Sequence, residues 1–122
     1  MKKIKYKTFI LSLKKLFSTN VDEPELICGE YHVSNAEQLI WFAKRVNSGD
    51  IKINGKSLED IDISDENDFK GIGTNQNPYQ GIFNGNGYSI KVNLNVIGNN
   101  SALFRVVDSN AIIKNLNIIG VI

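Results

Sequence analysis

NLNVIG at Asn93–Gly98 returns as NLNIIG at Asn115–Gly120, 22 positions further on, with Val96 exchanged for Ile118 as the single difference. Both exchanged residues are β-branched and apolar, so they suit the same strand position. A fixed period of this size is the mark of stacked repeats, in which each repeat is one layer. Around the two phrases, Ile90, Val92, Leu94 and Val96 alternate with Lys91, Asn93 and Asn95, the period of two that a strand requires. Turns at Gly98–Ser101 and Asp108–Asn110, with apolar segments at Leu103–Val107 and Ala111–Ile113, complete one circuit. This spacing predicts an all-β right-handed parallel β-helix fragment of about two to three coils. Leu94 then stacks on Leu116 and Val96 on Ile118. Lys114 breaks the match to Val92, so a bend or bulge is expected before Leu116.

Upstream the period changes from two to that of a helix. Ala36, Leu39, Ile40, Ala43 and Val46 share one face, Phe42 widens it, and Trp41 flanks it. Ser34 as N-cap with Glu37 three positions on forms a capping box, Lys44 and Arg45 suit the C-terminal dipole, and Asn47-Ser48-Gly49 ends the helix. A helix over residues 35–47 covering the open end of the stack is expected. Tyr31–Val33 reads as a short strand. Ile61 and Ile63 alternate with Asp60, Asp62 and Ser64, and Asn54-Gly55, Asn84-Gly85 and Asn86-Gly87 read as tight turns. The expected division is 1–30, a basic amphipathic segment and linker; 31–57, the capping-helix region; and 58–122, the β-helix coils.

The 122 residues amount to about one domain, and a 42% apolar fraction can supply its core. The net charge of +1 hides a segregation. Six of the 14 basic residues and none of the 13 acidic ones lie in the first 15 positions, which leaves the remainder at −5. A mildly acidic body with no basic stripe in the sequence excludes nucleic acid as the expected partner. Lysines followed by Thr8–Leu13 resemble the start of a secretory signal, but the apolar run is short, Lys14-Lys15 ends it, and no cleavage pattern follows. Tyr6, Phe9, Ile10, Leu13, Leu16 and Phe17 also fall on one helical stripe. A cap or tail, a degenerate signal and a membrane-surface contact all remain open for this segment.

Several motifs resemble a known family, the bacterial right-handed β-helix surface proteins with GLUG-type repeats. AEQLIWFAKRVNSGD at Ala36–Asp50 is similar to that family's entry helix, and DIDIS at Asp60–Ser64 resembles its first strand. FKGIG at Phe69–Gly73 stands where an aromatic-x-Pro-Ile-Gly segment is usual. NPYQGIFNGNGYSI at Asn77–Ile90 resembles the glycine-rich link, and SALFRVVDSNAIIKNLNIIGV at Ser101–Val121 the repeat itself. Gly71 replaces the family's proline, and Ala102 and Arg105 replace two glycines. The resemblance, spanning about residues 30–122, implies a non-enzymatic N-terminal cap and first coils of a secreted or cell-surface, adhesin-like protein. The expected partners are further β-helix coils, or self-association through the C-terminal edge because so few coils leave the last one uncovered, with a cell-surface protein or glycan as ligand. The rival readings are the N-terminal fragment of a carbohydrate-active β-helix enzyme and a truncated reading frame.

No residue set reads as catalytic, cofactor-binding or metal-ligating, and no cofactor is expected. The acidic run Glu59–Asp68 is oxygen-rich, as calcium prefers, but lacks loop spacing. Gly81–Gly87 fits neither phosphate-loop pattern. Phe69, Tyr79, Phe83 and Tyr88 read as packing residues before sugar-stacking ones. Asn93, Asn95, Asn115 and Asn117 read as ladders between layers. Asn99–Ser101 fits a glycosylation pattern. Cys28 and His32, each the sole member of its type, make neither a disulfide nor a zinc site within one chain.

Overall fold

The computed structural model describes residues 22–67, 69–93 and 102–121. Its elements run β1 (Glu25–Ile27), β2 (Glu30–Val33), α1 (Ala36–Asn47), β3 (Asn54–Ser57), β4 (Ile61–Asp62), β5 (Ile82–Asn84), β6 (Ser89–Asn93), β7 (Ile112–Lys114) and β8 (Asn117–Val121). The stretch read as a linker carries β1, which forms an antiparallel hairpin with β2. Cys28 and Gly29 connect them with φ of 51° and 81°, the left-handed pair that a two-residue hairpin turn requires.

Helix α1 confirms the helical stripe but starts differently. Asn35 is the N-cap, accepting from the Gln38 N–H at 2.9 Å, and Gln38 Oε1 in turn accepts from the Ser34 N–H at 2.7 Å. The cap is therefore displaced by one residue from Ser34/Glu37, and Gln38 reaches back past the N-cap to the Ser34 N–H in a variant of the capping box. At the other end the Ser48 hydroxyl donates to the Lys44 carbonyl at 2.7 Å. Asn47 does more than stop the helix. Its Nδ2 donates to the Gly71 carbonyl at 3.0 Å, its Oδ1 accepts from the Gly73 N–H at 2.7 Å, and its own carbonyl accepts from Asn77 Nδ2 at 2.8 Å. The last turn of α1 is thus pinned to the 71–77 loop.

The strands form a five-stranded sheet in the order β1-β2-β3-β5-β7 and a three-stranded sheet in the order β4-β6-β8. All pairings are parallel except β1 with β2. The all-β solenoid expected from the repeat is corrected on three counts. The larger sheet is mixed. The helix belongs to the core, to which it contributes Leu39, Phe42, Ala43 and Val46, so the architecture is mixed α/β. And the 22-residue offset is not the pairing offset. Ile118 lies beside Ile90 and Ile112 beside Ile82, steps of 28 and 30 positions. Leu94 and Val96, the expected stacking partners of Leu116 and Ile118, lie outside the described residues, as do residues 1–21, Asp68 and Asn95.

Period-two patterning held where register did not. Ile61 and Ile63 are buried with Asp62 exposed between them, and Ile90 and Val92 are buried on β6. The expected bend before Leu116 is present, at Asn115 with φ of 55°. Lys114 pairs with Asn84 on the outward side, so it never shares a row with Val92.

The core is built around rings. Phe42 lies 5.6 Å from Phe83 and 6.0 Å from Tyr79, and both of these reach Phe104 at 5.5 and 5.7 Å. Tilted and edge-on contacts of this kind add about 0.5–1.5 kcal/mol each beyond area burial. Gly55 permits this, because a Cβ there would stand 2.8 Å from Phe83 and 3.0 Å from Phe42. Asn54-Gly55, expected as a turn, therefore lies inside β3. Asn86-Gly87 does form its turn, with φ of 57° and 83° and the Tyr88 N–H donating to the Gly85 carbonyl at 2.9 Å.

Candidate functional site

The acidic run is occupied by structural work. Asp62 Oδ1 accepts from the Ser64 hydroxyl at 2.5 Å and from the Ser64 N–H at 2.9 Å. Those two bonds, the hydroxyl first, hold its carboxyl below the usual carboxylate range, with Lys91 at 4.0 Å assisting. Asp60 Oδ1 accepts from the Ser89 N–H at 2.8 Å, tying the run to the start of β6. Among the described residues no three His, Cys, Asp or Glu side chains converge as a metal site would need.

The aromatic candidates divide. Tyr79 and Phe83 are fully buried. The Tyr79 hydroxyl donates to the Ile53 carbonyl at 2.8 Å, and burial pushes its phenol well above the ordinary value of 10.0. Phe69 packs at the margin of the core, and Tyr88 is half-buried beside the Asn86-Gly87 turn. No sugar-stacking platform arises from this set. Gly81 and Gly85 are buried against backbone, where a Cβ would meet Ile53 O at 2.1 Å and Asn115 O at 2.6 Å respectively. They serve close packing, with no phosphate cradle.

Cys28 is exposed in the hairpin turn, whereas His32 lies in β2 with Nε2 3.6 Å from Glu30 Oε1. The structure does not bring the two together. Of the asparagines, Asn115 Nδ2 donates to Asn84 Oδ1 at 3.2 Å, tying the bend after β7 to β5. Asn93 pairs in register with Val121, and Asn117 with Ser89. Asn99–Ser101 lie outside the described residues.

A continuous surface does emerge at the far side of both sheets. β7 and β8 are edge strands, so one side of each carries backbone N–H and C=O groups with no ladder partner among the described residues. The inward rows keep their apolar character up to that edge. Ile61, Ile90 and Ile118 occupy one row, at 3%, 0% and 53% exposure. Gly55, Phe83 and Ile113 occupy another, in which Phe83 is buried and Ile113 exposed. Ile119 and Val121 add to the exposed apolar surface of β8. Such an edge has the chemistry to accept strands: main-chain groups for affinity and alternate apolar side chains for register.

No family model matches the sequence, and no curated protein or solved structure shows significant similarity to it.

Proposed function

We propose that this chain is a non-enzymatic structural module, acting at the cell surface or outside the cell, that receives further β-strands along β7 and β8. The exposure of Ile118, in the same row as buried Ile61 and Ile90, carries this reading. An apolar row that runs into solvent is stabilised when another strand continues it, at about 25 cal/mol per Å² of apolar surface covered. The extracellular setting rests on the resemblance to GLUG-type surface proteins. The structural use of Asp60, Asp62 and Asn47 in turns and loop ties favours a scaffold over a catalyst.

For the isolated chain, the strands available in solution are those of a second copy. Sedimentation velocity across a concentration series therefore tests the proposal. The wild-type chain is expected to associate as concentration rises. The double variant Ile113→Lys/Ile118→Lys is expected to remain monomeric with an unchanged far-ultraviolet spectrum, since lysine on an edge opposes pairing. A wild-type chain that stays monomeric at every concentration would overturn the reading.

A further inference from the structure

We infer that Asn86 is a site of spontaneous covalent modification, losing its side-chain amide to attack by the Gly87 nitrogen, and that the fold spares the other two Asn-Gly pairs. The chemistry needs water and hydroxide alone. Hydroxide takes the proton of the Gly87 N–H, and the nitrogen attacks Asn86 Cγ. The new C–N bond closes a five-membered succinimide ring while the bond from Cγ to Nδ2 breaks. Nδ2 leaves as ammonia with a proton from water, which returns the hydroxide. A second water then opens the ring. Opening at Cγ gives aspartate at position 86, and opening at the main-chain carbonyl gives isoaspartate. No group is oxidised or reduced. Glycine favours the attack because no Cβ hinders its nitrogen.

The same dipeptide occurs in three environments, at Asn54-Gly55, Asn84-Gly85 and Asn86-Gly87. The first lies inside β3, with β2 and β5 in register on either side. Asn54 Oδ1 accepts from the Ile82 N–H at 2.9 Å, and Gly55 is buried against Phe83 and Phe42. In the second, Asn84 Oδ1 accepts from the Asn86 N–H at 2.9 Å and from Asn115 Nδ2 at 3.2 Å. Gly85 is buried, and its N–H donates to the Lys114 carbonyl of β7 at 2.8 Å. Ring closure at either pair requires neighbouring strands to part.

Asn86 and Gly87 are both exposed, at the centre of the turn that the Tyr88 N–H closes on the Gly85 carbonyl. Apart from its chain neighbours, no heavy atom lies within 4 Å of where a Gly87 Cβ would stand. The Gly87 N–H donates to the Asn115 carbonyl at 2.8 Å, and Asn86 Nδ2 to the Ser57 carbonyl at 3.2 Å. Freeing nucleophile and amide therefore opens a surface turn and leaves the ladders standing, which takes far less free energy than parting strands. The φ of 57° at Asn86, unfavourable for any residue with a Cβ, adds to the tendency to open. The product cannot re-form the turn as it was. A carboxylate accepts and does not donate, so the Ser57 carbonyl loses its partner. Isoaspartate also adds a main-chain carbon to a turn that needs both residues left-handed. Since Asn115 is the bend between β7 and β8, the modification loosens the tie between this turn and the edge strands.

The test incubates the wild-type chain at mildly alkaline pH, both folded and unfolded in guanidinium chloride, and maps its peptides by mass spectrometry. Unfolded, the three pairs should gain the mass of an amide exchanged for an acid at comparable rates, because the dipeptide is the same. Folded, the gain should accumulate at Asn86 at least about tenfold faster than at Asn54 or Asn84, a ratio set by the difference in local opening. Equal rates at the three pairs in the folded chain, or an Asn86 that stays intact while Asn54 or Asn84 reacts, would overturn the site. So would no reaction at Asn86 in the folded chain over about ten times the period that converts it unfolded. Asn86→Asp carries the product's carboxylate on an unaltered main chain. It should melt below the wild type and exchange its Gly87 amide hydrogen faster, and unchanged exchange there would overturn the effect on the turn.

Discussion

Ile61 and Ile118 are the same residue type in the same inward row of the three-stranded sheet, yet one is 3% exposed and the other 53%. The difference lies in what covers them. Around β2 and β3, α1 contributes Leu39, Phe42, Ala43 and Val46, and the ring cluster from Tyr31 to Phe104 fills the space between the sheets. Around β7 and β8 the ladder geometry is just as regular, but no layer lies beyond it among the described residues. Register fixes where a side chain points. Burial needs a second element to meet it, and among the described residues α1 supplies one at the β2–β3 end alone.

The largest expected effect separates the two ends directly. Leu39 is fully buried, so Leu39→Asp places a lone carboxylate in the ring-lined core and should cost about 4–5 kcal/mol, near the upper end for single changes. Ile118→Asp puts the same charge in a half-exposed place and should cost under about 1 kcal/mol in the monomer. Urea unfolding at low protein concentration measures both. Equal costs at the two sites would break the comparison.

A smaller test probes how dry the packed end is. Tyr79→Phe leaves the Ile53 carbonyl without its 2.8 Å donor and should cost about 1–2 kcal/mol at neutral pH. The variant also has a pH signature. The folded phenol titrates above its ordinary 10.0, so below that pH both states are protonated and the contribution is fully present. As pH rises past it the unfolded chain alone loses the proton, and stability falls by about 1.4 kcal/mol per unit. Urea titrations on either side of that pH should show the fall in the wild type, with Tyr79→Phe lacking this share of it. Identical slopes would mean that water reaches the hydroxyl.

How much of this was legible in the sequence depends on the range of the interaction. Local signals held: the helical stripe of α1, the alternation at Ile61–Ile63 and Ile90–Val92, the Asn86-Gly87 turn and the bend before Leu116. The 22-residue phrase repeat misled because similar strand sequences need not be neighbours. Their separation is set by the loops between, and here the ladders step by 28 and 30. Asn54-Gly55 misled for a related reason. Its glycine answers to Phe83 and Phe42, which reach it only in the folded state. Asn47 looked like a helix stop because its partners Gly71, Gly73 and Asn77 are 24 to 30 positions away.

The smallest effect asks where the packed end begins. β1 is exposed along its length and held by its hairpin with β2. The turn places Cys28 at φ of 51°, a left-handed conformation that costs most residues about 1–2 kcal/mol and asparagine less. Cys28→Asn would give this turn the same Asn-Gly pair that residues 86 and 87 use, the favoured chemistry for two left-handed positions. If β1 unfolds together with the core, relief of that strain counts toward global stability, by about 0.5–1 kcal/mol. Thermal unfolding should then shift upward by a few degrees, at roughly 3–6 °C per kcal/mol for a domain of this size. If β1 frays before the core melts, the same substitution should leave the transition in place, because the turn is already open when the cooperative unit unfolds. A shift therefore places β1 inside the packed end. No shift moves its boundary to β2, with the parallel ladder and α1 alone forming the stable unit.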